Sequence, residues 1–174
     1  MEKIIIETAN SKFDIQSARE IINKELFFPT GRSLQDFTDT KEGVFYVVAK
    51  DRGKVIGAGR LSLCPTVNGS SDFWKALNQS LSSVNYKLEE LKDDTAVMSG
   101  IVLEPSYRGQ GIGSKLYEWR ESIAQKNKKK LIVSRIRPDA WNIYTHRSYT
   151  EFGSDEIKFL SGGVMTRKWV YKII

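Results

Sequence analysis

The sequence predicts an α/β (α+β) fold, and three observations carry that prediction. Two β-rich pairs each straddle a short turn: residues 44–50 and 54–63 around Asp51-Arg52-Gly53, and residues 156–160 and 164–173 around Ser161-Gly162-Gly163. Apolar residues at helical spacing fill residues 13–26 and 64–94. Between the hairpins, residues 98–125 read as strand, turn, helix: Ile101 and Leu103 alternate, Pro105 breaks the strand, and Ile112, Leu116, Trp119 and Ile123 recur at steps of three or four.

Taken in order, residues 3–8 form a short strand. A helix follows over residues 13–26, with Phe13, Ile15, Ala18, Ile21, Ile22 and Leu26 on its apolar positions and Ser11 or Asp14 as its cap. Residues 27–43 are turn-rich through Pro29, Gly31 and Gly43, long enough to shape a site. After the first hairpin, Phe73, Leu77, Leu81, Val84, Leu88 and Leu91 predict one or two amphipathic helices within an insertion at about 64–94, read either as extra core or as a wall over a substrate pocket. A strand spans residues 96–103 and another 130–136. Pro138-Asp139 then stops the chain and offers an N-cap for a helix from Ala140 to Thr150, which Gly153 ends.

A length of 174 residues, 40% hydrophobic and 28% charged, suits one domain over residues 1–174 with a full core. The net charge of +6 is compatible with nucleic acid, an anionic membrane or a phosphate-bearing cofactor. Its densest run, residues 126–130, suits a helix end whose cations complement the dipole better than a nucleic-acid patch. One cysteine, Cys64, allows no internal disulfide, and neither a leader nor an apolar run of membrane-spanning length is read, so a cytoplasmic protein is expected.

The stretch Arg108-Gly109-Gln110-Gly111-Ile112-Gly113 carries the chemistry. Alternate glycines turn tightly and let successive amides converge on one anion, and the helix that follows adds its positive end. A diphosphate is the expected ligand, held by the amides of residues 109–114 with Arg108 and Lys115 as charge partners. The dinucleotide fingerprint and the Walker loop both need glycine at position 114, which is Ser114.

The run from Leu103 to Gly113 resembles motif A of the GNAT superfamily of acyl-CoA-dependent N-acyltransferases, V-x-P-x-x-R-G-x-G-I-G. That resemblance implies a mixed, mostly antiparallel central sheet of about seven strands with helices on both faces, and acetyl-CoA as co-substrate. It implies that the main chain of Ile101 and Leu103 pairs with pantetheine where the strand splays from its neighbour, while Arg108, Gly109, Gln110, Gly111, Ile112, Gly113 and Ser114 hold the diphosphate. A second signature, N-x-x-A-x-x-x-Y-x-x-x-G-F, is met by Asn142, Tyr149 and Gly153, with Thr145 and Ser154 departing from it. By resemblance, Asn142 bonds the pantetheine arm and Tyr149 protonates the leaving thiolate. A phenol with pKa about 10 is suited to that role.

The expected reaction is transfer of the acetyl group to a primary amine by direct attack in a ternary complex. The alternative is a sensor of the same fold that binds acyl-CoA without turnover. The attacking amine must lose a proton, and within the strand at 96–103 only Ser99 is polar, able to hold a water. Glu89, Glu90, Asp93 and Asp94 precede that strand, and Asp36 and Asp39 sit on the early loop, each read first as a solvated carboxylate. His146 is the only histidine and is read first as structural; one Cys and one His make no zinc site. Small-molecule or peptide amines are the expected acceptors, a homodimer is a possible assembly, and neither membrane nor nucleic acid is an expected partner.

Overall fold

A computed structural model describes residues 4–32, 42–66 and 71–174. The strands are β1 (Ile5–Thr8), β2 (Val44–Asp51), β3 (Lys54–Ser62), β4 (Thr95–Leu103), β5 (Leu131–Ile136), β6 (Thr150–Lys158) and β7 (Val164–Ile173). They form one seven-stranded sheet in the order β1-β2-β3-β4-β5-β7-β6, and only the β4–β5 pair is parallel. The helices are α1 (Lys12–Ile22), α2 (Asp72–Ser82), α3 (Leu88–Leu91), α4 (Ile112–Lys126) and α5 (Trp141–His146). The β2–β3 turn is left-handed at both Arg52 (φ 49°) and Gly53 (φ 79°), a twist that matches the flanking strands.

Strand alternation sorts the core onto two faces. Val47 and Ala49 of β2, Ala96 and Met98 of β4 and Ile132 of β5 pack with Ile112, Leu116 and Ala124 of α4 and with Tyr144 of α5. On the other face, Tyr46, Val48, Ala58 and Val102 pack with Ala18 and Ile22 of α1. Leu131 and Val133 of β5, with Trp169 and Tyr171 of β7, pack with Phe73, Leu77 and Leu81 of α2 and with Leu88 and Leu91 of α3. The predicted insertion therefore supplies core to the sheet. Burying large apolar side chains contributes roughly 1.5–3 kcal/mol each, which binds α2 to the sheet.

Several expectations are corrected. Ser11, not Asp14, caps α1, its Oγ accepting from the Asp14 amide at 3.0 Å. Helix α1 ends at Ile22 and widens into a π turn over Asn23–Phe27. Phe13, Val84 and Trp119 are exposed, and Trp119 donates its indole N–H to Thr8 Oγ1. Asp139 does not cap α5, which begins without a side-chain cap and ends at His146 rather than Thr150. Gly153 ends no helix: it lies inside β6, where a Cβ would stand 2.6 Å from the Trp169 ring. The glycine there admits an indole. The candidate bases Asp36 and Asp39 lie outside the described residues.

Candidate active site

The β4–β5 ladder runs only from Thr95↔Leu131 to Met98↔Ser134, although β4 continues to Leu103 and β5 to Ile136. The strands part there, leaving β4 main chain beyond Met98 unpaired on that side. The cause lies in β4 itself. Between Ala58↔Val102 and Arg60↔Ser99, the single residue Gly59 of β3 faces two of β4, Gly100 and Ile101, with Gly100 left-handed at φ 59°. This bulge bends the strand and re-aims its groups. A Cβ on Gly100 would meet Ile22 Cγ2 at a tight 3.0 Å, and its left-handed backbone favours glycine as well.

Arg120 of α4 is fully buried beneath the bulge, where its Nη1 donates to the carbonyls of Arg60 (3.3 Å) and Ser99 (3.2 Å) and its guanidinium stacks on Tyr117 at 4.6 Å. Carbonyls that lost their ladder partners are satisfied by a side chain instead. Gly59 leaves room for it, since a Cβ there would stand 3.0 Å from Arg120 Nε.

The parted strands open a cleft of about 590 Å³. Ser99, Gly100, Ile101, Val102 and Leu103 form one wall, and Arg108, Gly109, Gly111, Gly113 and Ser114 form the rim at the start of α4. Gly109 (φ 77°) and Gly111 (φ 75°) are left-handed, and a Cβ on either would touch nothing. Conformation, not space, requires glycine at these two positions. Gly111 is the N-cap of the fifteen-residue helix α4, so unsatisfied amides face the rim. Arg108 donates Nε–H to the Leu103 carbonyl at 3.1 Å, tying the loop to the strand end.

Not every predicted residue faces this cleft. Gln110 turns back to the Ser106 carbonyl at 3.2 Å, the Ile112 side chain is core, and Lys115 is exposed outside the lining. Asn142 is exposed and outside it too. Tyr149 is buried among core residues, its hydroxyl donating to Glu121 Oε1 at 3.0 Å and lying 3.7 Å from Met98 Sδ. Burial first, then the adjacent Glu121 carboxylate, raises its pKa. Glu121 is held in turn by Arg147 (2.7 Å) and Lys172 (3.4 Å), which outweigh its burial and lower its pKa.

Tyr117 and Tyr144 do line the cleft, and the one bonded beside the point where the strands separate is Tyr144. Its hydroxyl lies 3.0 Å from Ser134 Oγ, which donates to the Met98 carbonyl at 2.9 Å where the strands separate. Burial raises the phenol pKa. Shifting the second signature five residues earlier makes it agree with the fold: Ala140 and Tyr144 take the alanine and tyrosine places, Ser148 the glycine place, Tyr149 the phenylalanine place and Arg137 the asparagine place. Ser148 is left-handed at φ 61°, which is what glycine would supply. In this register a serine stands at the glycine place, while Gly153 lies five residues further on.

Other cleft residues lacked a local signal. Tyr117 carries a buried hydroxyl without a hydrogen-bond partner. Glu25, on the π turn after α1, is brought into the lining by the packing of that turn against β4. Gly100 did have one: a glycine within a strand pattern marks a bulge. Among the described residues no His, Cys, Asp and Glu cluster could hold a metal. Glu89, Glu90, Asp93, Asp94 and His146 line neither this cleft nor the second cavity that adjoins it. No helix among the described residues is long and apolar enough to cross a membrane.

Comparison with known proteins agrees with this geometry. The ribosomal-protein-S18-alanine N-acetyltransferase from Escherichia coli superposes with a TM-score of 0.69 at 16% identity, covering 99% of this chain and 94% of that one. A phosphinothricin acetyltransferase from Sinorhizobium meliloti, solved in complex with acetyl-CoA, gives 0.69 at 19% identity, covering 99% and 89%. An N-acetyltransferase from Staphylococcus aureus Mu50 gives 0.67 at 14% identity, covering 99% of each chain. Among curated proteins no sequence match was found. A sequence profile of the acetyltransferase (GNAT) family matches residues 14–153, and the chain belongs to that family.

Proposed function

We propose that this protein transfers an acetyl group from acetyl-CoA to a primary amine by direct attack in a ternary complex. The observation that carries the reading is the parting of β4 from β5 after Met98 and Ser134, which opens onto a left-handed glycine loop at the N-terminus of α4. The β4 main chain beyond Met98, open on the β5 side, suits an extended amide-bearing arm added as a further strand. The amides at the start of α4 suit a diphosphate. Acetyl-CoA offers both groups at matching ends of one molecule.

Tyr144 takes the part that the resemblance assigned to Tyr149. With its pKa raised by burial, the phenol stays protonated and stabilises the departing thiolate chiefly as a hydrogen-bond donor. Because Ser134 Oγ donates to the Met98 carbonyl, the phenol donates its one hydrogen to Ser134 at rest and turns it to the thiolate as sulfur departs. Tyr117, with its hydroxyl unpartnered in the same lining, is a second donor for the bound cofactor.

Glu25 is the proposed proton acceptor for the amine. Among the described residues only Glu25 and Asp139 bring carboxylates to the two cavities, and Asp139 lies 3.5 Å from the Arg137 guanidinium. Leu26, next in sequence to Glu25, lines both cavities, so the π turn that carries Glu25 reaches their junction. Ser99, at that junction, positions a water or the amine through its hydroxyl. The test is acetyl-CoA titration beside a thiol-release assay with a panel of amines. Saturable binding with acetyl-CoA-dependent thiol release and an N-acetylated product is expected. Tight binding without release for any amine would leave only an acyl-CoA sensor.

A further inference from the structure

Beyond the junction lies a second cavity of about 280 Å³, which shares Leu26, Ser99, Gly100, Ser134, Arg135 and Arg137 with the cofactor cleft. Its lining includes five arginines, Arg32, Arg60, Arg135, Arg137 and Arg167, and no carboxylate among the described residues. The arginines come from separate places in the chain: Arg60 from β3, Arg135 from β5, Arg167 from β7, Arg32 and Arg137 from connections. Gathering like charges from distant elements costs repulsion unless a ligand of opposite sign repays it.

Among the described residues, two carboxylates serve three of these arginines, Arg135, Arg137 and Arg167. Asp155 accepts from Arg167 Nε at 2.9 Å and also lies 3.5 Å from Arg135 Nε, so one carboxylate serves two guanidiniums. Asp139 pairs with Arg137 at 3.5 Å, and that arginine's buried Nε makes no hydrogen bond. Burial first, and the charges of Arg167 and Arg32 next, lower the Arg135 pKa, as expected where cations crowd. Arg135 is exposed, with its guanidinium stacked 4.2 Å over Phe73. Phe73 and Trp74 of α2, with Phe159 and Met165, give the lining an apolar part.

We propose that this cavity is the acceptor site and that it selects a small amine carrying an acidic oxyanion group on an apolar or aromatic body. The inference rests on the transferase reading. Guanidiniums pair with carboxylate or phosphonate oxygens through two parallel hydrogen bonds, while the apolar wall takes the body between acid and amine. The same cations disfavour an ammonium, so the amine is more readily held in the neutral form that attacks the thioester. The bond formed is between the amine nitrogen and the acetyl carbon, the bond broken is carbon to sulfur, and the amine proton passes to Glu25 while the thiolate is stabilised by Tyr144.

The experiment uses the purified full chain with acetyl-CoA and matched acceptors: phenylalanine, methionine and their phosphonate analogues, against the corresponding carboxamides and decarboxylated amines. The acids are expected to exceed the neutral amines by about ten- to a hundredfold in kcat/KM, mostly through KM, with the advantage shrinking as salt rises. Which acid leads, carboxylate or phosphonate, identifies the oxyanion. In Arg167→Gln, which also frees Asp155 to neutralise Arg135, the acid-to-amide ratio is expected to fall to within about threefold of unity, and Arg167→Lys to keep part of it. Calorimetric binding of each pair in the presence of CoA repeats the comparison without turnover. Amides or plain amines equal to the acids in both readouts would overturn the anionic acceptor and leave the transferase standing. Acids that bind preferentially with no acetyl transfer to any amine would overturn the transferase reading and keep the oxyanion site.

Discussion

The cofactor cleft and the acceptor cavity meet at Ser99 and Ser134 but are built of different materials. The first is largely main chain: an unpaired strand edge, left-handed turns at Gly109 and Gly111, and the open end of α4. The second is largely side chain: guanidiniums from β3, β5 and β7 facing Phe73 and Trp74 of α2. Main-chain sites need particular backbone conformations, and those leave glycines at fixed spacing in one short segment. Side-chain sites draw one residue from each of many segments. A cleft of the first kind fits a cofactor common to a family, and a cavity of the second kind can be refitted to another acceptor without disturbing the first.

The largest expected effect breaks the main-chain half. Gly111→Glu forces a left-handed conformation on a residue with a side chain and adds a negative charge at the diphosphate, so acetyl-CoA affinity should fall about a hundredfold or more by titration. Retained affinity would remove the loop from the cofactor site. Next, Glu25→Gln should lower kcat about a hundredfold near pH 7, with recovery at alkaline pH as the amine deprotonates in solution. A flat pH profile of the wild-type-to-variant ratio would exclude Glu25 as the proton acceptor.

Tyr144→Phe and Tyr149→Phe discriminate between the two registers of the second signature. The first should lower kcat about tenfold with acetyl-CoA affinity little changed, since one hydrogen bond to a developing anion is lost. The second should change turnover by less than about twofold and cost about 1–2 kcal/mol of stability, because its contacts with Glu121 and Met98 Sδ are removed. The opposite ranking would restore Tyr149.

The last effect is on stability alone, and it is present at neutral pH and lost in acid. The folded pKa of Glu121 lies below its unfolded value, so its contribution is complete above about 4.3 and disappears as pH falls through the lower folded value. Glu121→Gln should therefore destabilise the protein by on the order of 2 kcal/mol at neutral pH, and the gap should close in acid denaturation curves. A gap that persists below that window would show that Arg147 and Lys172 are not what Glu121 contributes.

Much of the sheet was legible because strand alternation and turn chemistry are local. The Asp51-Arg52-Gly53 turn and the hairpin around residues 161–163 appear where the residues indicated, and the helical spacing at 64–94 became α2 and α3. Local reading failed where a residue of unfavoured type took a special conformation. Ser148 occupies a left-handed position that the pattern reserves for glycine, a strain of roughly 1–2 kcal/mol that surrounding packing covers. Gly153 meanwhile sits in β6 against Trp169, and a signature aligned on that glycine points to Tyr149, five residues beyond the Tyr144 that lines the cleft.

By itself the sequence determined the strand, glycine loop and helix that suit a diphosphate, since tight turns and amide convergence are written into consecutive residues from Leu103 to Ser114. Only the tertiary structure decided which tyrosine reaches the cleft, that Arg120 supports the bulge from beneath, and that five arginines far apart in the chain share one cavity. The physical reason is sequence distance. Backbone conformation is set largely by neighbours along the chain, whereas the charge and shape of a cavity are sums over residues that meet only after the sheet has formed.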